Sequence, residues 1–227
     1  MHRRTALFAA GAALLAPHPS PPHAQPLSPA QIALFETPHL AKLAAPMRLE
    51  YGFLREEEGK APVEDRIRLD IRPSAEGSGG HDVVPEFLTG ARNLPYPPAR
   101  GFRGNPLLLF ALDRDARELA AATGGSMHWF RQRIRQAFAE SAELRSAEAE
   151  LDGAQVAATE INLVPFTGEP RALQYQNRRY VFLLADAVPG AIHSITTDTP
   201  ASAGGGAVRE RIAFRTAVPL PAAGGRP

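Results

Sequence analysis

The sequence predicts an α+β fold: a curved antiparallel sheet of about seven to eight strands packed on a central pair of helices, half-barrel-like. Three observations carry this. Residues 47–55 and 67–71 alternate apolar and polar side chains with period two, as half-buried strands do. Residues 107–144 hold two helical stretches separated by Gly124-Gly125. Strand patterns then return between Ala149 and Thr216. Strands grouped apart from helices mark an antiparallel sheet. Leu107 to Leu112 is apolar all round, so the helical pair must cover one sheet face and the sheet must curve over it.

Residues 1–24 have the order of a secretory signal peptide. Met1-His2-Arg3-Arg4 is the basic start, Thr5 to Ala16 the apolar stretch, and Pro17 to Ala24 the small-residue end. The apolar stretch is too short to span roughly 30 Å of hydrocarbon as a helix. Arg3-Arg4 admits the twin-arginine route beside the general secretory one. The expected location is therefore periplasmic or secreted. No later segment is apolar enough for a mature transmembrane segment.

Removing residues 1–24 takes away two arginines, and formal charge falls from +1 to about −1. A near-neutral chain carries no general attraction for nucleic acid, so no nucleic-acid partner is expected. Cysteine is absent, which excludes disulfides and thiolate chemistry. Packing alone must stabilise the core. Only Lys42 and Lys60 are lysines; the other basic residues are arginines. Coding bias in a GC-rich genome explains that, and it discounts every arginine cluster.

Residues 25–46 are read as short N-terminal helices. Ser28-Pro29-Ala30-Gln31 has the form of a capping box, with Leu27 and Ile32 at staple positions and a helix to about Phe35. Thr37-Pro38 can cap a further turn. Residues 47–216 form the single domain. Strands over 47–55 and 67–71 make a hairpin, and a third covers Val83 to Leu88, with Pro85 suiting an edge. Residues 90–104 read as a long irregular connection. Asn105-Pro106 opens a helix from Leu107 to about Thr123. Ser126 caps a second helix, from Met127 to about Leu144, with Phe130, Ile134 and Phe138 as its buried stripe. Asp152-Gly153 turns a hairpin. Tyr180 to Leu184, Ile192 to Thr196 and Val208 to Thr216 complete the sheet. Residues 217–227 read as a disordered tail.

Candidate chemistry is sparse. Gly124-Gly125-Ser126-Met127-His128 lacks the second glycine of a nucleophile elbow and follows a helix, so Ser126 reads as a helix cap. His39, His81, His128 and His193 have no metal-ligand spacing; a distant grouping such as His193 with Asp82 and a serine stays open. No catalytic residue, metal site or cofactor is assigned. Arg131 and Arg135 share a helix face near Trp129, and the three are the candidate ligand-binding residues: two guanidiniums for an anionic headgroup beside an amphipathic indole. A solvated helix face is the competing reading.

The strings Arg103-Gly104-Asn105-Pro106-Leu107-Leu108, Thr123-Gly124-Gly125-Ser126, Phe130-Arg131-Gln132-Arg133-Ile134-Arg135 and Ala185-Asp186-Ala187-Val188-Pro189-Gly190 resemble those of exported proteobacterial proteins of unknown function. The strand–helix–strand order is also similar to periplasmic lipoprotein carriers of the LolA/LolB half-barrel type. That likeness implies a curved sheet around helices and an apolar cavity. The expected role is a non-enzymatic periplasmic binding or carrier protein for an apolar or amphipathic ligand. The alternative is an envelope protein–protein interaction or assembly factor, and a hydrolase comes third. The partner is accordingly a lipid-like small molecule or an envelope protein.

Overall fold

The computed structural model describes residues 26–44, 46–75 and 79–221. The signal-peptide reading of residues 1–24 lies outside these residues, as does most of the C-terminal tail. The chain order is α1 (Pro29–Gln31), continued by a π-helical turn (Ile32–Glu36), then β1 (Met47–Glu57), β2 (Val63–Pro73), β3 (His81–Phe87) and β4 (Ala99–Phe102). Next come α2 (Leu107–Thr123), α3 (Met127–Glu140), β5 (Glu143–Leu151), β6 (Ala154–Leu163), β7 (Arg179–Leu184), β8 (Ile192–Thr199) and β9 (Val208–Pro219). The nine strands form one open sheet in the order β4-β3-β2-β1-β9-β8-β7-β6-β5, with every pairing antiparallel. This is the expected α+β class, with slightly more strands than the pattern predicts.

Register places the apolar stripes on one face. Leu49 faces Leu69, Tyr51 faces Ile67, Phe53 faces Ile212, Ile195 faces Ile212 and Phe182 faces Ile161. These residues join Leu107, Leu108, Phe130, Ile134 and Phe138 in a single core cluster. A flat sheet of nine strands would be about 38 Å wide at ~4.8 Å per strand. Two helices roughly 10 Å apart cover about half of that. One core drawn from β1 to β3 and β6 to β9 therefore requires the sheet to curl around the pair.

Local chemistry sets the boundaries. Ser28 accepts from Gln31 N at 3.1 Å and Gln31 Oε1 accepts from Ser28 N at 2.9 Å, a closed capping box. Asn105 Oδ1 accepts from Leu107 N at 3.1 Å and so satisfies one free donor at the start of α2. Gly124 ends α2 with φ 67°, a left-handed cap that suits glycine. Asp152 (φ 51°) and Gly153 (φ 80°) make the β5–β6 hairpin turn.

Four readings of the sequence change. Residues 99–102 pair with β3 as β4, a strand hidden by Pro97-Pro98 before it and Gly101 within it. Helix α3 ends at Glu140 rather than Leu144, and β5 begins at Glu143; it is an edge strand whose first four residues are all exposed, so alternation starts only at Ala147. β9 continues past Thr216 to Pro219, where it faces Met47. Leu109 is not buried with its neighbours but 46% exposed, because the opposite face of α2 takes the sheet.

Candidate functional site

The site is a groove along the outer seam of the helical pair. Helices α2 and α3 run antiparallel through the turn at Gly124-Gly125, and α1 with its π-turn crosses their far end. Ser28 Oγ donates to the Phe138 carbonyl at 2.7 Å, and the Phe35 and Phe138 rings meet edge to face at 5.2 Å. These contacts pin α1 to the C-terminal end of α3. Tyr96, from the loop before β4, stacks on Phe110 at 4.7 Å and donates its hydroxyl to the Phe110 carbonyl at 3.0 Å. The resulting groove has a volume of about 660 Å³. Its apolar surface comes from Leu27, Phe35, Tyr96, Leu109, Phe110, Leu112, Ile134 and Phe138, and its rim carries Gln31, Glu36, Asp113, Arg117, Arg131 and Arg135. Leu27 is 49% exposed, so two large aliphatic side chains face solvent within one concavity.

Of the three residues singled out by sequence, the groove brings together two. Arg131 and Arg135, one turn apart, both line it. Arg131 pairs with Asp113, which also accepts from Arg117 Nε at 2.6 Å. Arg135 is exposed and has no ion-pair partner among the described residues. Trp129 lies elsewhere. Two residues before Arg131 it is rotated about 200° around the helix. It stacks on Phe166 at 6.1 Å and meets Phe130 at 4.8 Å, so its ring serves packing.

A second feature is buried between α2 and the sheet. Arg114 reaches Glu210 on β9 with two bonds, Nη1 to Oε2 at 2.9 Å and Nη2 to Oε1 at 3.0 Å, and Glu118 Oε1 at 2.6 Å. Arg55 on β1 donates to Glu210 Oε1 at 2.6 Å. Arg178 pairs with Asp115, donates to Thr199 and Thr197 at 2.8 Å each, and lies 3.6 Å from Glu210. The Tyr180 hydroxyl donates to Asp115. Burial alone would raise the Glu210 carboxyl; the hydrogen bond and charge of Arg114, with Arg178 and Arg55, overcome it and hold it at about 2. Burial drives Tyr180 well above its ordinary value, and the Asp115 charge adds to that. Sequence shows only the Arg114–Glu118 spacing. The rest joins residues 55, 178 and 210, which topology alone brings together.

This network walls a cleft of about 730 Å³ at one end of the concave face. Between network and core only a void of about 20 Å³ remains, roughly one water. Among the described residues the expected apolar cavity inside the curl is therefore filled, and the concavity opens at the cleft. There Leu88 and Leu119 are almost fully buried, Val63, Leu94, Tyr175 and Val208 are half-buried, and each charged side chain has an ion-pair partner. Exposed apolar surface and an unpaired charge occur together in the outer groove instead.

Nucleophilic chemistry finds no such assembly. Ser126 accepts from Trp129 N, its own N3 amide, at 3.4 Å, and is a plain helix cap. Asp82 on β3 and His193 on β8 lie four strands apart in the sheet order, Asp82 accepting from Gly101 N and His193 bonding the Glu150 carbonyl. No group of three histidine or carboxylate side chains is placed to hold a metal among the described residues. No helix among them is long and apolar enough to cross a membrane.

No family model matches the chain, and no curated protein matches it. Two solved structures share its layout loosely. One is a chain of the Pseudomonas aeruginosa MucA/MucB complex, 15% identical with a TM-score of 0.32. The match covers 82% of this chain and only 56% of that one. The other is a LolA superfamily protein from Nitrosomonas europaea, 9% identical with a TM-score of 0.26, matched over 85% of this chain and 94% of that one.

Proposed function

We propose that the protein is an exported, periplasmic binding or carrier protein for an apolar or amphipathic ligand, held in the outer groove of the helical pair. The observation that carries this reading is the pairing of half-exposed Leu27 and Leu109 with Arg135, which has no ion-pair partner among the described residues, in one groove of about 660 Å³. That volume lies within the usual range of small-ligand sites, mostly apolar with a few polar groups that fix orientation. The ordered pattern of residues 1–24 supports export.

Methyl-resolved NMR tests the location. On titration with an amphiphile below its micellar concentration, resonances of Leu27, Leu109 and Ile134 shift and those of Leu88 and Leu119 do not. Shifts confined to Leu88 and Leu119 move the site to the inner cleft. An unchanged spectrum removes the reading.

A further inference from the structure

We propose that the groove takes an anionic amphiphile with a single apolar chain, its head at Arg131 and Arg135 and its tail toward α1; the assignment rests on the groove being the ligand site.

Charge is distributed unevenly along the groove. Asp113, Arg117 and Arg131 lie toward the α2–α3 turn. Leu27, Phe35 and Phe138 lie where α1 crosses, seven residues further along α3 and so about 10 Å away. Arg135 stands between, one turn from Arg131. The turn end carries two guanidiniums sharing one carboxylate, and Arg135 adds a third with no carboxylate of its own. Glu36 sits on the α1 side, where it disfavours an anionic head. An occupant lying along this gradient places negative charge at one end and apolar surface at the other. Arginine suits the head, because its planar fork binds carboxylate or phosphate at two points.

Size suits a short tail. At about 30 Å³ per heavy atom, a water molecule's share of liquid volume, 660 Å³ corresponds to about 22 heavy atoms, which matches one chain with a compact head. Carboxylate and phosphate heads share the required chemistry.

Titration calorimetry with three probes of equal tail length tests the assignment: dodecanoate, dodecyl maltoside and dodecyltrimethylammonium, each below its micellar concentration. Dodecanoate is expected to bind the wild-type protein about tenfold more tightly than the cationic probe, equivalent to ~1.4 kcal/mol. Arg135→Glu removes that preference, and Arg179→Glu, at an exposed position on β7, does not. Dodecyl phosphate in place of dodecanoate separates the two head chemistries, and binding of either supports the proposal. Equal affinity for all three probes overturns the anionic head and leaves the groove reading standing. Phosphatidylglycerol that stays bound to the protein after gel filtration away from the vesicles, and that Arg135→Glu releases, overturns the single-chain assignment. Failure of every probe to bind overturns the groove reading together with this one.

Discussion

Arg114 and Glu210 face each other across the helix–sheet boundary with two bonds of 2.9 and 3.0 Å, and their side chains are 8% and 6% exposed. Helix α2 is fastened to β9 by charge as well as by packing. Burying charges is costly, and such a pair contributes little beyond what an apolar pair of similar shape would. Breaking one partner is different, because it leaves the other buried and uncompensated. Glu210→Gln removes the carboxylate shared by Arg114, Arg55 and Arg178 and leaves only Glu118, Asp115 and Glu57 to compensate them, so it is expected to lower stability by ~3 kcal/mol in urea unfolding. Arg114→Met with Glu210→Leu is expected to recover most of that loss.

The same carboxylate predicts the acid limb of the stability curve. Glu210 is held at about 2 in the folded chain against an ordinary 4.5. The unfolded state therefore binds a proton that the folded state does not. The stabilisation is fully present above pH 4.5 and is lost as pH falls toward 2, about 3 kcal/mol in all. Unfolding midpoints in urea across this window check it: they fall with pH in the wild type and fall less steeply in Glu210→Gln.

His39 predicts a second, milder dependence. Its Nδ1 accepts from Asn105 N at 3.3 Å and its Nε2 bonds the Ala33 carbonyl at 2.8 Å, linking the π-turn after α1 to the start of α2. Burial lowers its pKa, although the Ala33 carbonyl and Asp186 pull it upward. Protonation would set a second N–H against that of Asn105. This contribution is present above the ordinary histidine value of 6.5 and is lost as pH falls through the lower folded value. Protection factors at Leu34 and Asn105, which divide out the base-catalysed intrinsic exchange rate, are expected to fall on acidification in the wild type and to lose that dependence in His39→Phe.

Gly190 predicts a steric limit. It has φ 76°, and an added Cβ would lie 2.7 Å from Leu49 Cδ1 and 2.9 Å from Asn105 Nδ2. Its carbonyl also accepts from Asn105 Nδ2 at 3.0 Å. Gly190→Ala combines a left-handed backbone with a clash and is expected to cost ~2 kcal/mol or more, read as a lowered thermal midpoint.

These residues also show how far sequence reaches. Local signals are legible: the Ser28 capping box, the Asp152-Gly153 turn, the glycine stop at Gly124 and the Phe130–Ile134–Phe138 stripe all depend on neighbours within a few positions. The alternation of β1 and β2 predicts their pairing for the same reason. Leu109 is misread because an all-apolar run does not say which face the sheet will take. The Arg55–Arg114–Glu210–Arg178 network is invisible because β9 inserts beside β1 after 150 residues of intervening chain. Helical spacing puts Arg131 and Arg135 on one face of α3. The groove they rim needs α1, which helical spacing on α3 does not place.

The most direct test of the proposed ligand groove is native mass spectrometry of the protein purified from its native cells, beside Leu109→Asp prepared identically. Leu109 is half exposed, so the variant keeps its fold, as circular dichroism would check. The account predicts a reproducible added mass on the wild type, recoverable in organic solvent and lost from the variant. A bare wild-type mass, or an added mass that Leu109→Asp leaves unchanged, contradicts it.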